Sequence, residues 1–255
     1  MNQHVEAIPA LNDNYIWALV QGSNCVLVDP GEPGPALEFL EAGQLNLTGL
    51  LLTHHHPDHI GGVAGIRDRH PAPAWGPDDE RMPADMETVG EGDSIALPGL
   101  DTELKVMETP GHTRSHIVFH GQGMLFSGDT LFSAGCGRLF EGTPEQMQAS
   151  MDKLAGLPDE TRFYCGHEYT ESNCRFALQV EPDNPALRQR MNQVRELRSQ
   201  DRMTLPETLG RDRQVNPFFR TREPSVIEAA RGREEMPDER PATVFGVIRR
   251  WKDRF

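Results

Sequence analysis

The chain has 255 residues, of which 37% are hydrophobic, and no apolar run long enough to cross a membrane. A net charge of −14 excludes the basic face that a nucleic-acid platform needs. That charge is uneven, 8 Lys+Arg against 25 Asp+Glu in residues 1–169 and 17 against 14 in residues 170–255, so a boundary is expected between one domain at 1–168 and a second at 169–255. The start of the chain has neither a basic stretch nor a long apolar core, and the four cysteines form no C-x-x-C pair. Reduced thiols and a cytoplasmic location are therefore expected.

In chain order, Tyr15 to Val20 and Cys25 to Val28 read as strands joined by a Gln21–Asn24 turn. Asp29-Pro30-Gly31 ends the second strand, and Pro35 opens a helix that runs to about Ala42, before Gly43. The short apolar run Leu50-Leu51-Leu52 predicts a buried strand that breaks off into a polar loop. A helix is expected over His59–Arg69 despite Gly61, Gly62 and Gly65. Further strands are expected at Leu104–Glu108, Ile117–His120, Met124–Ser127 and Thr161–Cys165, with a helix at Pro144–Leu154. From Tyr169 the texture turns helical. Asn184-Pro185 starts a long helix whose apolar face is Leu187, Met191, Val194 and Leu197, and the chain closes on Val244–Phe255.

The stretch that carries chemistry is T-H-H-H-P-D-H, from Thr53 to His59. It offers His54, His56, Asp58 and His59 within six residues of one loop, and imidazole with carboxylate is a donor set that zinc, iron and manganese all accept. Four such groups this close repel and desolvate one another without a cation. Three isolated candidates follow: His112 in T-P-G-H-T, Asp129 in S-G-D-T-L-F and His167 in Y-C-G-H-E-Y. All three stand beside glycine just beyond a strand-like run, which suggests one shared sheet edge and enough ligands for two ions.

H-x-H-x-D-H followed by single His, Asp and His resembles the metallo-β-lactamase superfamily. Within it the chain resembles glyoxalase II, the hydroxyacylglutathione hydrolases, through A-L-N-D-N-Y, G-D-T-L-F-S-A-G-C-G-R-L-F-E-G-T (128–143), Y-C-G-H-E-Y-T, N-P-F-F-R and the ending R-R-W-K-D-R-F. The resemblance implies an α+β chain: a four-layer αββα sandwich of metallo-β-lactamase fold, followed by an all-α C-terminal domain that contributes to a glutathione site. It implies two divalent metal ions, zinc first and iron or manganese as alternatives. His54, His56 and His112 would hold one ion and Asp58, His59 and His167 the other, with Asp129 bridging and His55 left out. The catalytic groups would be Asp58 and Asp129 with a metal-bridging hydroxide. The reaction implied is hydrolysis of S-D-lactoylglutathione to D-lactate and glutathione, the second step of methylglyoxal detoxification.

The same resemblance places glutathione against Arg138, Phe140, Tyr169, Arg249 and Lys252. Arg138 stands where lysine is common in the family and Phe140 where tyrosine is common, so a point charge becomes a fork and one hydroxyl is missing. The expected partner is thus a small thioester, with no nucleic acid and no membrane, acting on a monomer. Two other readings keep the motif: a mononuclear iron persulfide dioxygenase, disfavoured by the R-R-W-K ending, and a non-catalytic protein with a structural metal, disfavoured by seven His/Asp candidates where four ligands suffice.

Overall fold

The computed structural model describes residues 3–255, which form two compact units. One unit runs up to Glu108 and adds Ser115–Gly128; the other combines Thr109–Arg114 with Asp129–Phe255. The boundary expected at 168/169 lies inside the second unit. Each unit supplies a group of the residues singled out by the sequence.

The first unit opens with β1 (Gln3–Ala10), β2 (Asn14–Gln21) and β3 (Asn24–Val28), antiparallel through the expected turn, followed by α1 (Pro33–Gly43). β4 (Asn46–Leu51) then pairs parallel between β3 and β5 (Ala74–Gly76), and β6 (Glu87–Thr88) closes a six-stranded sheet. β4 is central, and its last three residues are fully buried, as a parallel strand covered on both faces requires. α1 lays Ala36, Leu37 and Leu40 into a core with Ile8, Ile16, Leu27, Leu50 and Ile66. β7 (Ser94–Ala96), β8 (Glu103–Glu108), β9 (Ile117–Gly121) and β10 (Met124–Gly128) form a consecutive antiparallel run.

The single helix expected over His59–Arg69 is two: α2 (Pro57–Ile60) and α3 (Val63–Arg67). The break falls at Gly61-Gly62, where a Cβ on either glycine would stand within 2.7 Å of the backbone oxygens of Gly31 or Pro30. Close passage of the 30–32 turn, rather than helix propensity, decides the local structure there. β1 was not legible in the sequence because its outer half is an exposed edge without a clean apolar alternation.

The second unit contains the small hairpin β11 (Leu131–Phe132) and β12 (Gly135–Cys136), then α4 (Pro144–Ala155), whose Thr143 forms a reciprocal capping box with Gln146. β13 (Arg162–Cys165) pairs antiparallel with β14 (Glu207–Thr208). The helices are α5 (Thr170–Val180), α6 (Pro185–Arg198), α7 (Leu209–Val215), α8 (Pro224–Arg231) and α9 (Pro241–Lys252). Asn184 caps α6 by accepting from the Leu187 amide at 3.2 Å. Leu187, Met191 and Val194 bury as the spacing predicts, beside Cys174, Ala177 and Val215, whereas Leu197 is only half-buried. Arg190 takes a buried place in α6, which an apolar-periodicity reading cannot anticipate; its guanidinium pairs with Glu207 at 3.0 Å.

Candidate metal centre and substrate pocket

In the first unit the T-H-H-H-P-D-H stretch leaves the buried end of β4 and turns into α2. His54 and His59 are buried, and the His54 Nε2 and His56 Nδ1 atoms lie 3.1 Å apart. The Thr53 hydroxyl donates to Asp29 Oδ2 at 2.7 Å, so its oxygen is left to accept from His54 Nδ1–H at 3.0 Å. That assignment leaves the lone pair of His54 on Nε2, the atom that faces His56. The Nδ1 of His59 sits 3.1 Å from the same Asp29 oxygen, which fixes its proton there and leaves Nε2, 3.5 Å from Asp58 Oδ2, to a ligand. Asn14 holds that Asp58 oxygen at 3.0 Å. His116 stacks on His54, ring centroids 4.8 Å apart.

Asp29 is the functional residue that the sequence reading overlooks. It sits at φ 52° directly after β3, buried, and binds both the Thr53 amide (2.8 Å) and hydroxyl. D-P-G reads as a strand-ending turn, and only the proximity of His59 across 30 residues reveals the carboxylate's second task. Its oxygen also lies within 4.8 Å of nitrogens of His54 and His59, so these three form a possible cation site by themselves. His55, set apart from the ligands in the sequence, lies 3.7 Å from Asp79. The Arg81 fork holds the Asp79 carboxyl well below the usual carboxylate range, with Ser115 donating at 2.7 Å.

In the second unit, Asp129 follows β10 immediately and stands between two imidazoles. His112 Nε2 lies 3.5 Å and His167 Nε2 3.4 Å from Asp129 Oδ2. The Arg138 carbonyl accepts from His112 Nδ1–H at 2.8 Å, which again leaves the lone pair on Nε2, the atom that faces Asp129. Gly137 is required here, because a Cβ would come 1.9 Å from the Asp129 carbonyl oxygen. Cys165 is buried, its thiol pushed far up by burial, and it donates weakly to the His167 carbonyl, so it behaves as a small apolar residue.

The same unit holds a pocket of 390 Å³. Its wall includes His112 and Asp129 together with Arg138, Phe140, Tyr169, Arg249 and Lys252, all five residues expected to meet the substrate. Tyr169 stacks on His167 at 4.7 Å with ring planes 4° apart. Phe140, 61% exposed, sets its edge against the His112 ring at 5.3 Å. Arg249 is buried and committed: it donates to the Cys136 carbonyl at 2.9 Å and to Asp253 at 3.1 Å, an oxygen that also accepts from Arg138 at 3.2 Å. Lys252 reaches Asn173 Oδ1, and burial beside Arg249 brings its proton affinity down to about 7. Asn173 is thus a pocket residue without a distinctive sequence signal, and Asp253 is a partner carried by the R-R-W-K-D-R-F ending.

The sequence model of the metallo-β-lactamase superfamily matches residues 11–167, and that of the hydroxyacylglutathione hydrolase C-terminus matches residues 168–255. A hydroxyacylglutathione hydrolase of Aeromonas hydrophila subsp. hydrophila is 50% identical over 253 residues, covering 98% of this chain and 99% of that protein. The chain belongs to the hydroxyacylglutathione hydrolase family. Among solved structures, the BLEG-1 B3 metallo-β-lactamase is 29% identical with a TM-score of 0.59, over 64% of this chain and 91% of that one. TTHA1623 in a di-iron-bound form is 29% identical with a TM-score of 0.53, over 60% and 87%. The fold is therefore the metallo-β-lactamase fold, of α+β class, with a helical C-terminal region. As an enzyme of this family the chain is a thioester hydrolase, and its His/Asp clusters suit divalent metal ions.

Proposed function

We propose that the chain hydrolyses S-(2-hydroxyacyl)glutathione thioesters, S-D-lactoylglutathione among them, to a 2-hydroxy acid and glutathione. The observation that carries this reading is the composition of the 390 Å³ pocket, where His112 and Asp129 share a wall with Arg138, Arg249 and Lys252. Glutathione brings two carboxylates, and this pocket offers cations together with metal-type donors. Four buried cysteines, each held as a thiol outside any disulfide, suit the reducing cytoplasm in which glutathione is abundant.

The donor set fits a metal centre. Three imidazoles have Nδ1 tied to a hydroxyl, a carboxylate or a carbonyl, so that each presents Nε2. We assign His54, His56 and His112 to one ion and Asp58, His59 and His167 to a second, with Asp129 shared, in a catalytic domain at 1–168 served by a helical domain at 169–255. Two bound divalent ions, zinc first and iron or manganese as alternatives, supply an acidified water near neutral pH and an electrophilic partner for the thioester oxygen.

The remaining work falls to the chain. Asp58 and Asp129 hold their carboxylates beside ring nitrogens of His59, His112 and His167, ready to orient a water and accept its hydrogen bond. Lys252 and the Arg138 fork bind the glutathione carboxylates, and Tyr169, fixed by its stack on His167, limits where the acyl group lies. A thiolate leaves without prior protonation, so no general acid is required of the pocket. We take a single chain as the active unit.

Elemental analysis of purified protein, paired with S-D-lactoylglutathione hydrolysis, tests the reading. About two ions per chain and a thioesterase activity abolished in His54→Ala and Asp58→Ala are expected. Full activity in either variant, or none in a fully metallated wild type, overturns it.

A further inference from the structure

The β11–β12 hairpin is held from outside itself. It has only two cross-strand pairs, Leu131 with Cys136 and Phe132 with Gly135, too few to stand alone. Ala134 at its tip is in the left-handed region at φ 56°, a conformation that persists only when the surroundings impose it. Five of its backbone groups are taken by side chains from the helical part of the unit. Asn216 Nδ2 donates to the carbonyls of Phe132 (3.3 Å) and Gly135 (2.9 Å). Asn173 Nδ2 donates to the Ser133 carbonyl (3.0 Å), and Arg249 donates to that of Cys136 (2.9 Å). The Ala134 amide donates to Asp212 Oδ1 at 2.7 Å, while Asp212 Oδ2 accepts from Asn216 at 2.8 Å.

Asp212 and Asn216 are both fully buried. Neither belongs to the pocket wall, yet the hairpin they grip follows Asp129 by two residues and precedes Arg138 by two, and its Phe132 and Cys136 line the pocket. We propose that Asp212 and Asn216 are positioning residues that fix this hairpin, and with it the Asp129 and Arg138 edges of the pocket, and that Asp212 does so only as a carboxylate. The role in catalysis rests on the proposed hydrolysis, whereas the grip on the hairpin does not.

The requirement for a carboxylate is geometric. Both oxygens of Asp212 face N–H donors, so a proton on either one, or an amide in place of the carboxyl, sets hydrogen against hydrogen and forfeits a buried bond. The charged groups acting on Asp212 are Arg190 of α6, which favours the ionised form, and Glu207 of β14, which opposes it. Burial outweighs the favourable contacts and lifts the Asp212 carboxyl to about 7. The grip is thus complete above neutral pH and is lost as pH falls through about 7.

Amide hydrogen exchange on the full-length, metal-loaded protein reads the hairpin directly. After correction for intrinsic rates, protection of the Ala134 amide is expected to fall about tenfold from pH 8 to pH 6, following the ionised fraction of Asp212, while α6 is unaffected. In Asp212→Asn the hairpin should exchange at least about tenfold faster at pH 8 and lose its pH dependence, and KM for the thioester should rise more than kcat falls. A pH-independent hairpin in the wild type, or protection lost evenly across the second unit, overturns the proposal; so does an Asp212→Asn enzyme with wild-type KM and kcat. Should Asp212→Asn fail to fold, the wild-type pH series decides. A wild type without thioesterase activity but with the expected exchange pattern would sink the proposed function and leave the grip standing.

Discussion

Asp29→Asn isolates the least conspicuous support of the metal centre. Asparagine keeps the volume and tolerates the left-handed φ of 52°, so the change is confined to hydrogen bonding. The carboxylate accepts from the Thr53 amide at 2.8 Å on Oδ1, and from the Thr53 hydroxyl at 2.7 Å and His59 Nδ1 at 3.1 Å on Oδ2. An amide satisfies the two donors on one side with its oxygen but turns an NH₂ against the Thr53 amide. Leaving that buried donor unpaired costs about 1–3 kcal/mol, which lowers the Tm of the metal-free protein by about 2–4 °C for each kcal/mol. A second effect is independent of stability. The His59 ring loses its charge-assisted anchor, and loss of such an outer partner typically weakens metal binding about 10–100-fold.

The two magnitudes are measured separately, by thermal denaturation of the stripped protein and by competition with a chromophoric chelator. His112 takes its orientation from the Arg138 carbonyl and not from Asp29, so one class of ion should weaken and the other keep its affinity. A lowered Tm with both affinities unchanged would refute the claim that Asp29 orients His59. An unchanged Tm would refute the count of its hydrogen bonds.

Lys252 binds anions only while protonated, and its proton affinity of about 7 means that the cation is present below neutral pH and lost above it. The KM of Lys252→Met relative to that of the wild type should therefore fall about tenfold from pH 6 to pH 8 at nearly constant kcat, any change that follows Asp212 being common to both enzymes. A ratio that does not change with pH removes Lys252 from the binding site. Phe140→Tyr, at an exposed position, should lower KM a few-fold without moving Tm; an unaltered KM would show that a hydroxyl there contributes nothing to glutathione binding. Arg249→Ala should differ from Lys252→Ala in costing about 1–3 kcal/mol of stability, because the Cys136 carbonyl loses its buried donor; equal denaturation midpoints for the two variants would contradict that.

The metal candidates were legible because ligand chemistry concentrates rare residue types. Four donors crowded into six residues after an apolar run repel one another unless a cation holds them, and His112, Asp129 and His167 each follow a strand. The strands and helices with strong periodicity, β2, β3, α4 and α6 among them, were legible for the same reason of local pattern. The break between α2 and α3 was not, since it depends on the backbone of residues 30–32 passing close to Gly61 and Gly62. Nor was the commitment of Arg249, which the sequence offers as a free cation and the structure binds to a carbonyl and to Asp253.

What escapes a sequence reading most completely is the set of polar side chains that serve backbone groups. Asp29, Asn173, Asp212 and Asn216 have no spacing rule, because a carbonyl or amide can be met from anywhere in the chain: Asn216 reaches Gly135 across 81 residues. Their burial is nonetheless a constraint as strict as that on the ligands, for a buried polar group left unpaired costs more than a made bond returns. N-P-F-F-R marks the family by sequence alone, and its asparagine acquires a physical reason only once Asn216 is seen spending its amide on two hairpin carbonyls and on Asp212. The candidate ligands and the residues that hold their loops are then two halves of one requirement: a carboxylate placed as Asp129 is could meet an ion only if the backbone on its far side has nowhere else to go.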